Sequence, residues 1–186
     1  ASAREEDSIA IVGLGGVGLS ALLASIAIGS KKTIAIDLSN EKLNLAHELG
    51  ADHILNPNDA NFLERVRDLT SGGANIAIET AGSGRALKTA YDITRRGGTT
   101  VAAGMPGPKV DITLSHLSIA AEERIIKGSY MGSCIAHRDI PKYLDMFQTG
   151  KLPVDRLLSR KITFEELNEA MDRLDDAKTV REVLIP

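Results

Sequence analysis

Apolar positions along most of this chain follow two alternating rhythms. Ser8-Ile9-Ala10-Ile11-Val12 is a branched apolar run with no polar alternate, as expected of a strand buried on both faces. It stops at Gly13. From Gly15 to Gly29 the apolar residues Val17, Leu19, Leu22, Leu23, Ile26 and Ile28 predict a helix that Gly29 ends. Thr33 to Asp37 is the next strand. Asn40 caps a helix carrying Leu43, Leu45, Ala46 and Leu49, closed by Gly50. His53-Ile54-Leu55 is a third strand, and Asn58 or Asp59 caps a helix that runs through Leu69. Asn75 to Glu79 is a fourth strand, Ser83 to Thr94 a helix, Gly97-Gly98 a turn and Thr99 to Ala103 a fifth strand. Ile125 to Tyr130 is the sixth. Such alternation predicts an α/β fold of the Rossmann type, a doubly wound six-stranded parallel sheet.

Past about Asp139 the pattern changes. Asp139 to Gln148 is helical, Asp155 to Lys161 extended, and Thr163 and Glu166 fit a capping box before a helix carrying Leu167, Ala170, Met171 and Leu174. Arg181 to Ile185 is a last strand. The expected division is a Rossmann domain over residues 1–138 and a small C-terminal α+β tail over residues 139–186 that packs on something else.

Chemistry enters at Val12-Gly13-Leu14-Gly15-Gly16-Val17-Gly18. Gly13, Gly15 and Gly18 match the dinucleotide fingerprint. Gly13 permits the tight turn, Gly15 lets backbone approach a pyrophosphate, and Gly18 lets the helix pack closely on the sheet. The helix start offers unpaired N–H groups and a positive dipole end. The second strand ends in Asp37, about 20 residues past the last glycine as the fingerprint requires. Its carboxylate suits the hydroxyls of an adenine ribose and repels a 2′-phosphate. Leu38 and Ser39 follow in place of the arginine that would welcome one, so NAD is expected over NADP. Gly29-Ser30-Lys31-Lys32-Thr33 has the wrong spacing for a triphosphate loop, and no tyrosine is followed four residues on by a lysine.

These motifs, with Ala35-Ile36-Asp37, Leu49-Gly50-Ala51-Asp52, Glu79-Thr80-Ala81-Gly82, Arg96-Gly97-Gly98, Lys127 to Gly132 and Val180 to Leu184, resemble the zinc-type medium-chain alcohol dehydrogenases. The likeness runs in order over essentially the whole chain. It implies a cofactor domain with NAD across the strand ends. Gly15, Gly16 and Val17 would line the pyrophosphate, Asp37 the ribose, and Lys42 the adenosine. Thr80 and Ala81 would lie at the ribose after the fourth strand. Ala103, Gly104 and Met105, with Ser129 and Met131, would surround the nicotinamide. Arg181 matches an arginine that reaches the pyrophosphate in relatives; the alternative is a surface ion pair. The family is also expected to form homodimers through the edge strand at Ile125–Met131.

Relatives are longer and begin with a catalytic domain that carries cysteine and histidine ligands for zinc. The resemblance therefore implies that this chain is a piece of a longer enzyme. It would bind cofactor, and catalyse little alone, while the whole protein moves hydride between an alcohol and NAD. Its one cysteine, Cys134, stands in a Cys-x-x-His pair with His137, which falls where the family has an ordinary loop; no metal site is expected in this chain. His47, His53 and His116 are expected to be structural or solvated. A non-enzymatic NAD-sensing module and a zinc-free NADP reductase are the alternatives. The dehydrogenase-like tail counts against the first and Asp37 against the second.

Composition narrows the partners. With 22 basic and 25 acidic residues, net charge −3, and 3% aromatics, the chain has neither the basic stripe nor the stacking platform of a nucleic-acid binder. The single cysteine excludes an internal disulfide framework and points to a reducing, cytoplasmic setting. No apolar run is long enough to span a bilayer, so no membrane partner is expected.

Overall fold

A computed structural model of the chain describes residues 1–175 and 179–186. Its six-stranded parallel sheet comprises β1 (Ser8–Val12), β2 (Lys32–Ile36), β3 (His53–Leu55), β4 (Ala74–Glu79), β5 (Thr94–Ala102) and β6 (Ile125–Gly128), in the order β3-β2-β1-β4-β5-β6. Helices α1 (Gly16–Ala27), α2 (Asn40–Glu48), α3 (Phe62–Thr70), α4 (Gly84–Ile93) and α5 (His116–Ala121) connect the strands. The order reverses at β1, which has β2 on one side and β4 on the other. That is the switch point where a doubly wound sheet opens a crevice at its strand ends.

Each strand of the centre serves two cores because its side chains alternate between faces. Ile9 and Ile11 pack with Leu19, Leu22 and Leu23 of α1 and Leu43 and Ala46 of α2. Ala10 and Val12 pack with Phe62 and Val66 of α3 and Ala90 and Ile93 of α4. All five β1 residues are buried, which accounts for the unbroken apolar run.

The rest of the described chain holds α6 (Ala136–Gln148), α7 (Leu167–Asp175) and a two-stranded parallel sheet of β7 (Arg160–Ile162) and β8 (Glu182–Leu184). Leu152 and Leu157 from this region are buried in the α1 side of the main core. Arg156 donates to the Glu48 carbonyl at 2.7 Å.

Several local expectations need correction. Neither Asn58 nor Asp59 caps α3. The helix starts at Phe62 behind Asn61, whose backbone is left-handed and whose side chain makes no cap bond. The two expected caps are engaged elsewhere, Asn58 with Arg85 and Asp59 with Arg65. The sixth strand ends at Gly128 rather than Tyr130, because the chain enters a 3-10 turn over Met131–Ser133 with Gly132 at φ +65°. The segment read as extended from Asp155 begins with another 3-10 turn, Val154–Leu157, which drives Leu157 into the core. The fifth strand begins at Thr94, and a bulge between its pairings at Thr94 and Thr99 accommodates the Gly97-Gly98 turn. Helix α6 starts at Ala136, ahead of Asp139, because the Asp139 carboxylate reaches back to the Ile135 N–H at 2.9 Å.

Candidate functional site

The three fingerprint glycines meet three different surroundings. Gly13 adopts φ +95°, and a Cβ there would lie 2.8 Å from Ala81. At Gly18 a Cβ would overlap the Gly13 carbonyl oxygen, so this glycine is required by the packing of α1 on the turn. Gly15 is unlike both: a Cβ there would meet nothing within 4 Å. Its bareness serves no contact among the described residues and leaves open space before the start of α1.

That helix start is electropositive. Gly15 is the N-cap, makes no side-chain cap bond, and no acidic residue occupies the first turn. The N–H groups of Gly16, Val17 and Gly18 therefore have no intrahelical acceptor, and the helix dipole adds positive potential. Val17 is 58% exposed at the same corner. Arg181 comes from the far end of the chain: one of its guanidinium nitrogens lies 2.8 Å from where a Gly16 Cβ would be. The Ser159 hydroxyl holds the Val180 and Arg181 N–H groups at 3.0 and 3.3 Å. Among the described residues no carboxylate forms an ion pair with Arg181, so the surface-pair alternative finds no partner there.

Asp37 sits just past β2 with both carboxylate oxygens oriented by backbone. Oδ2 accepts from the Leu14 N–H at 2.7 Å and Oδ1 from the Ser39 N–H at 2.9 Å. Each oxygen keeps further accepting capacity. A cleft of about 230 Å³ opens beside it, lined by Gly13, Lys42, Pro57, Ala81 and Arg85 among others. The fold thus brings Gly13, Asp37, Lys42 and Ala81 to one cleft, and Arg181 to Gly16 at the start of α1.

Thr80 faces inward to the turn: its hydroxyl donates to the Gly13 carbonyl at 2.7 Å. The Ala103 and Gly104 N–H groups donate to the Glu79 carbonyl, both at 2.9 Å. Gly104 packs so tightly on Gly82 that a Cβ would overlap the Gly82 nitrogen. Met105 and Met131 are largely exposed. Ser129 lies apart from the cleft, in a polar cavity with Lys127, Cys134 and Arg138.

The sequence reading placed Glu79 at the end of a strand and in a family-like motif without giving it a role, and it did not single out Arg85. Glu79 is buried, and its Oε1 accepts from the Gly82 N–H at 2.6 Å, tying the β4 end to the loop beyond it. A carboxylate closing an apolar strand, within the motif Glu79-Thr80-Ala81-Gly82, is its sequence signal. Arg85 carries none, because its position matters only through a loop distant in sequence.

Comparison with known proteins decides what this arrangement belongs to. The family model described as zinc-binding dehydrogenase matches residues 16–149. The chain belongs to this family. It is 33% identical over 179 residues to geraniol dehydrogenase of Castellaniella defragrans, covering 96% of this chain and 48% of that protein. It is 33% identical over 182 residues to alcohol dehydrogenase class-2 isozyme 2 of Oryctolagus cuniculus, covering 95% and 47%. The chain therefore spans about half the length of these relatives. Among solved structures, benzyl alcohol dehydrogenase from Acinetobacter calcoaceticus superposes with a TM-score of 0.91 at 29% identity, over 97% of this chain and 49% of that one. A protein from Sinorhizobium meliloti 1021, described as a zinc-binding dehydrogenase bound to NADP, gives 0.86 at 25% identity, over 100% and 54%. The resemblance to zinc-type medium-chain alcohol dehydrogenases and the Rossmann-type sheet both hold.

Despite the family's name, among the described residues no three His, Cys, Asp or Glu side chains gather as metal ligands. Cys134 is exposed. The described residues therefore do not fit a zinc ion. No described helix is long and apolar enough to cross a membrane.

Proposed function

We propose that this chain is the NAD(H)-holding part of an alcohol dehydrogenase. The observation that carries the reading is the open space at Gly15, set between the electropositive start of α1, the Arg181 guanidinium and the Asp37 carboxylate. A dinucleotide carries an anionic pyrophosphate, which suits a helix start and a guanidinium, and ribose hydroxyls, which suit a carboxylate. Gly15, Gly16 and Val17 present backbone N–H groups to the pyrophosphate, and Arg181 adds charge-assisted bonds. Asp37 accepts from the adenine-ribose hydroxyls, with Lys42, Thr80 and Ala81 close by. The nicotinamide end lies toward Ala103, Gly104, Met105, Ser129 and Met131. When bound, the nicotinamide accepts or returns a hydride. These residues hold and orient it.

Zinc is assigned to residues outside this chain, and so is the alcohol pocket. The names of the relatives support an alcohol as substrate. Residues 1–138 act as the cofactor domain and residues 139–186 as the tail facing the remainder of the enzyme. Two copies pair through the edge at Ile125–Met131.

Parallel calorimetric titrations with NADH and NADPH test the cofactor assignment. Saturable NADH binding is expected, with NADPH at least about tenfold weaker, since a charge-assisted hydrogen bond contributes about 1.5–3 kcal/mol. Asp37→Ser should weaken NADH and narrow the gap. Equal binding of both by the unaltered chain would overturn the choice of NAD, and binding of neither would overturn the nucleotide reading.

A further inference from the structure

The cleft beside Asp37 is lined in part by a side chain without an assigned task. Arg85 is in the first turn of α4, and its guanidinium donates to Asn58 Oδ1 at 2.7 Å. Asn58 belongs to the loop that follows β3, so the bond reaches from the β4 side of the switch point to the β3 side. The Asn58 N–H in turn donates to Asn56 Oδ1 at 3.0 Å, and Asn56 donates to the Leu38 carbonyl at 3.0 Å. The loop that receives the guanidinium is thereby tied to the residue after Asp37. Among the described residues no carboxylate pairs with Arg85. The neighbouring lining is apolar at Leu38, Pro57 and Ala86, and Leu38 is 57% exposed.

A guanidinium in this position offers a flat, delocalised, weakly hydrated cation whose orientation is set by its hydrogen bond. Purine rings stack on such planes, and the attraction of a cation for an aromatic face adds to the contact. Resting on the reading of the cleft as a nucleotide site, we propose that Arg85 stacks on the purine of the bound nucleotide and that Asn58 is the positioning residue that holds it there. Asp37 would read the ribose and Arg85 the base, so the adenine end would be held from two sides of the switch point.

The test is calorimetric titration of the chain with NADH, ADP-ribose and NADPH, each variant being checked by thermal melting. Arg85→Ala is expected to weaken NADH and ADP-ribose alike, about five- to tenfold, without lowering the melting temperature. Arg85→Lys, which keeps the charge and loses the plane, should recover little of that affinity. Arg85→Gln can keep the bond to Asn58 without the charge, so it guards against a folding defect and should also bind more weakly. Asn58→Ala should cost about two- to threefold with Arg85 intact. Wild-type affinity in Arg85→Ala would overturn the inference while the nucleotide site stands. Full rescue by lysine, or a larger loss for NADPH than for NADH, would overturn stacking in favour of simple charge or a 2′-phosphate contact. Failure of the unaltered chain to bind any of the three would instead overturn the nucleotide reading itself.

Discussion

Gly15 and Gly18 stand three residues apart in one motif, yet they are glycines for opposite reasons. Gly18 is pressed against the Gly13 carbonyl, whereas Gly15 borders open space with φ −80° and ψ −167°, a backbone any residue adopts. Gly18→Ala should therefore destabilise the chain by about 3 kcal/mol or more, since turn and helix must part to admit the methyl. Gly15→Ala should leave stability within about 0.5 kcal/mol and lower NADH affinity by tenfold or more. Urea unfolding and calorimetry on the pair check this: equal effects on folding would mean that Gly15 is not kept bare for a ligand. The residue scale also shows how thoroughly Asp37 is prepared. Its two backbone N–H partners fix the carboxylate before any ligand arrives, so less orientational freedom is lost on binding.

At the scale of elements, the informative unit is the small β7–β8 sheet, because it carries Arg181 to the glycine turn. A paired contact holds it to α7: Arg173 donates to both Glu182 oxygens, at 3.0 and 2.9 Å. The guanidinium keeps the Glu182 carboxyl below its ordinary value, chiefly through that hydrogen bond. A carboxylate with a lowered folded pKa contributes stability above its unfolded value, about 4.3. The contribution is lost as pH falls through the lowered one. Acidification below about pH 4.3 should thus loosen β8 before the main sheet. Hydrogen exchange at Val183 and Leu184 would report it, and Glu182→Gln should abolish that part of the pH dependence. Unchanged protection down to pH 3 in the unaltered chain would show that the pair does not hold the strand. Because Arg181 adjoins Glu182, NADH affinity should fall over the same range.

For the whole molecule, the unpaired side of β6 is the conspicuous feature. All four of its residues are exposed, with Ile125 at 52% and Ile126 at 41%, and β5 is its only partner among the described strands. An edge of this kind invites pairing with another chain. Sedimentation analysis should find a dimer, and lysine at both Ile125 and Ile126 should shift it to monomer while NADH affinity stays within about twofold. Dimers that survive the double substitution would place the contact elsewhere. The 139–186 region behaves differently at this scale. Leu152 and Leu157 lie in the α1 core, while Ile140, Tyr143, Leu144 and Phe147 leave an apolar stripe of α6 exposed. The region is thus joined to the main sheet on one side and open on the other.

Local order in the sequence was enough for the six strands of the main sheet, for helices α1 to α4, α6 and α7, and for the glycine turn, though not for the short α5. The periodicities of 2.0 and 3.6 residues and the steric demands of glycine act over a few residues. For the same reason the order of Gly13, Gly15, Gly18 and Asp37 pointed to a dinucleotide, and the further short motifs as far as Val180 to Leu184 pointed to the family. Other features depended on partners far away in sequence. Asn58 and Asp59 read as helix caps until Arg85 and Arg65 claimed their side chains, and Asp155 to Lys161 read as extended until Leu157 found a place in the core. Arg85 became visible only when folding laid the start of α4 against the loop after β3. Arg181 reached Gly16 only through the pairing of β7 with β8. Sequence periodicity encodes which face of an element is buried. Which side chains converge on the cleft is decided when the elements pack, because hydrogen bonds and ion pairs act over a few ångströms whatever the separation along the chain.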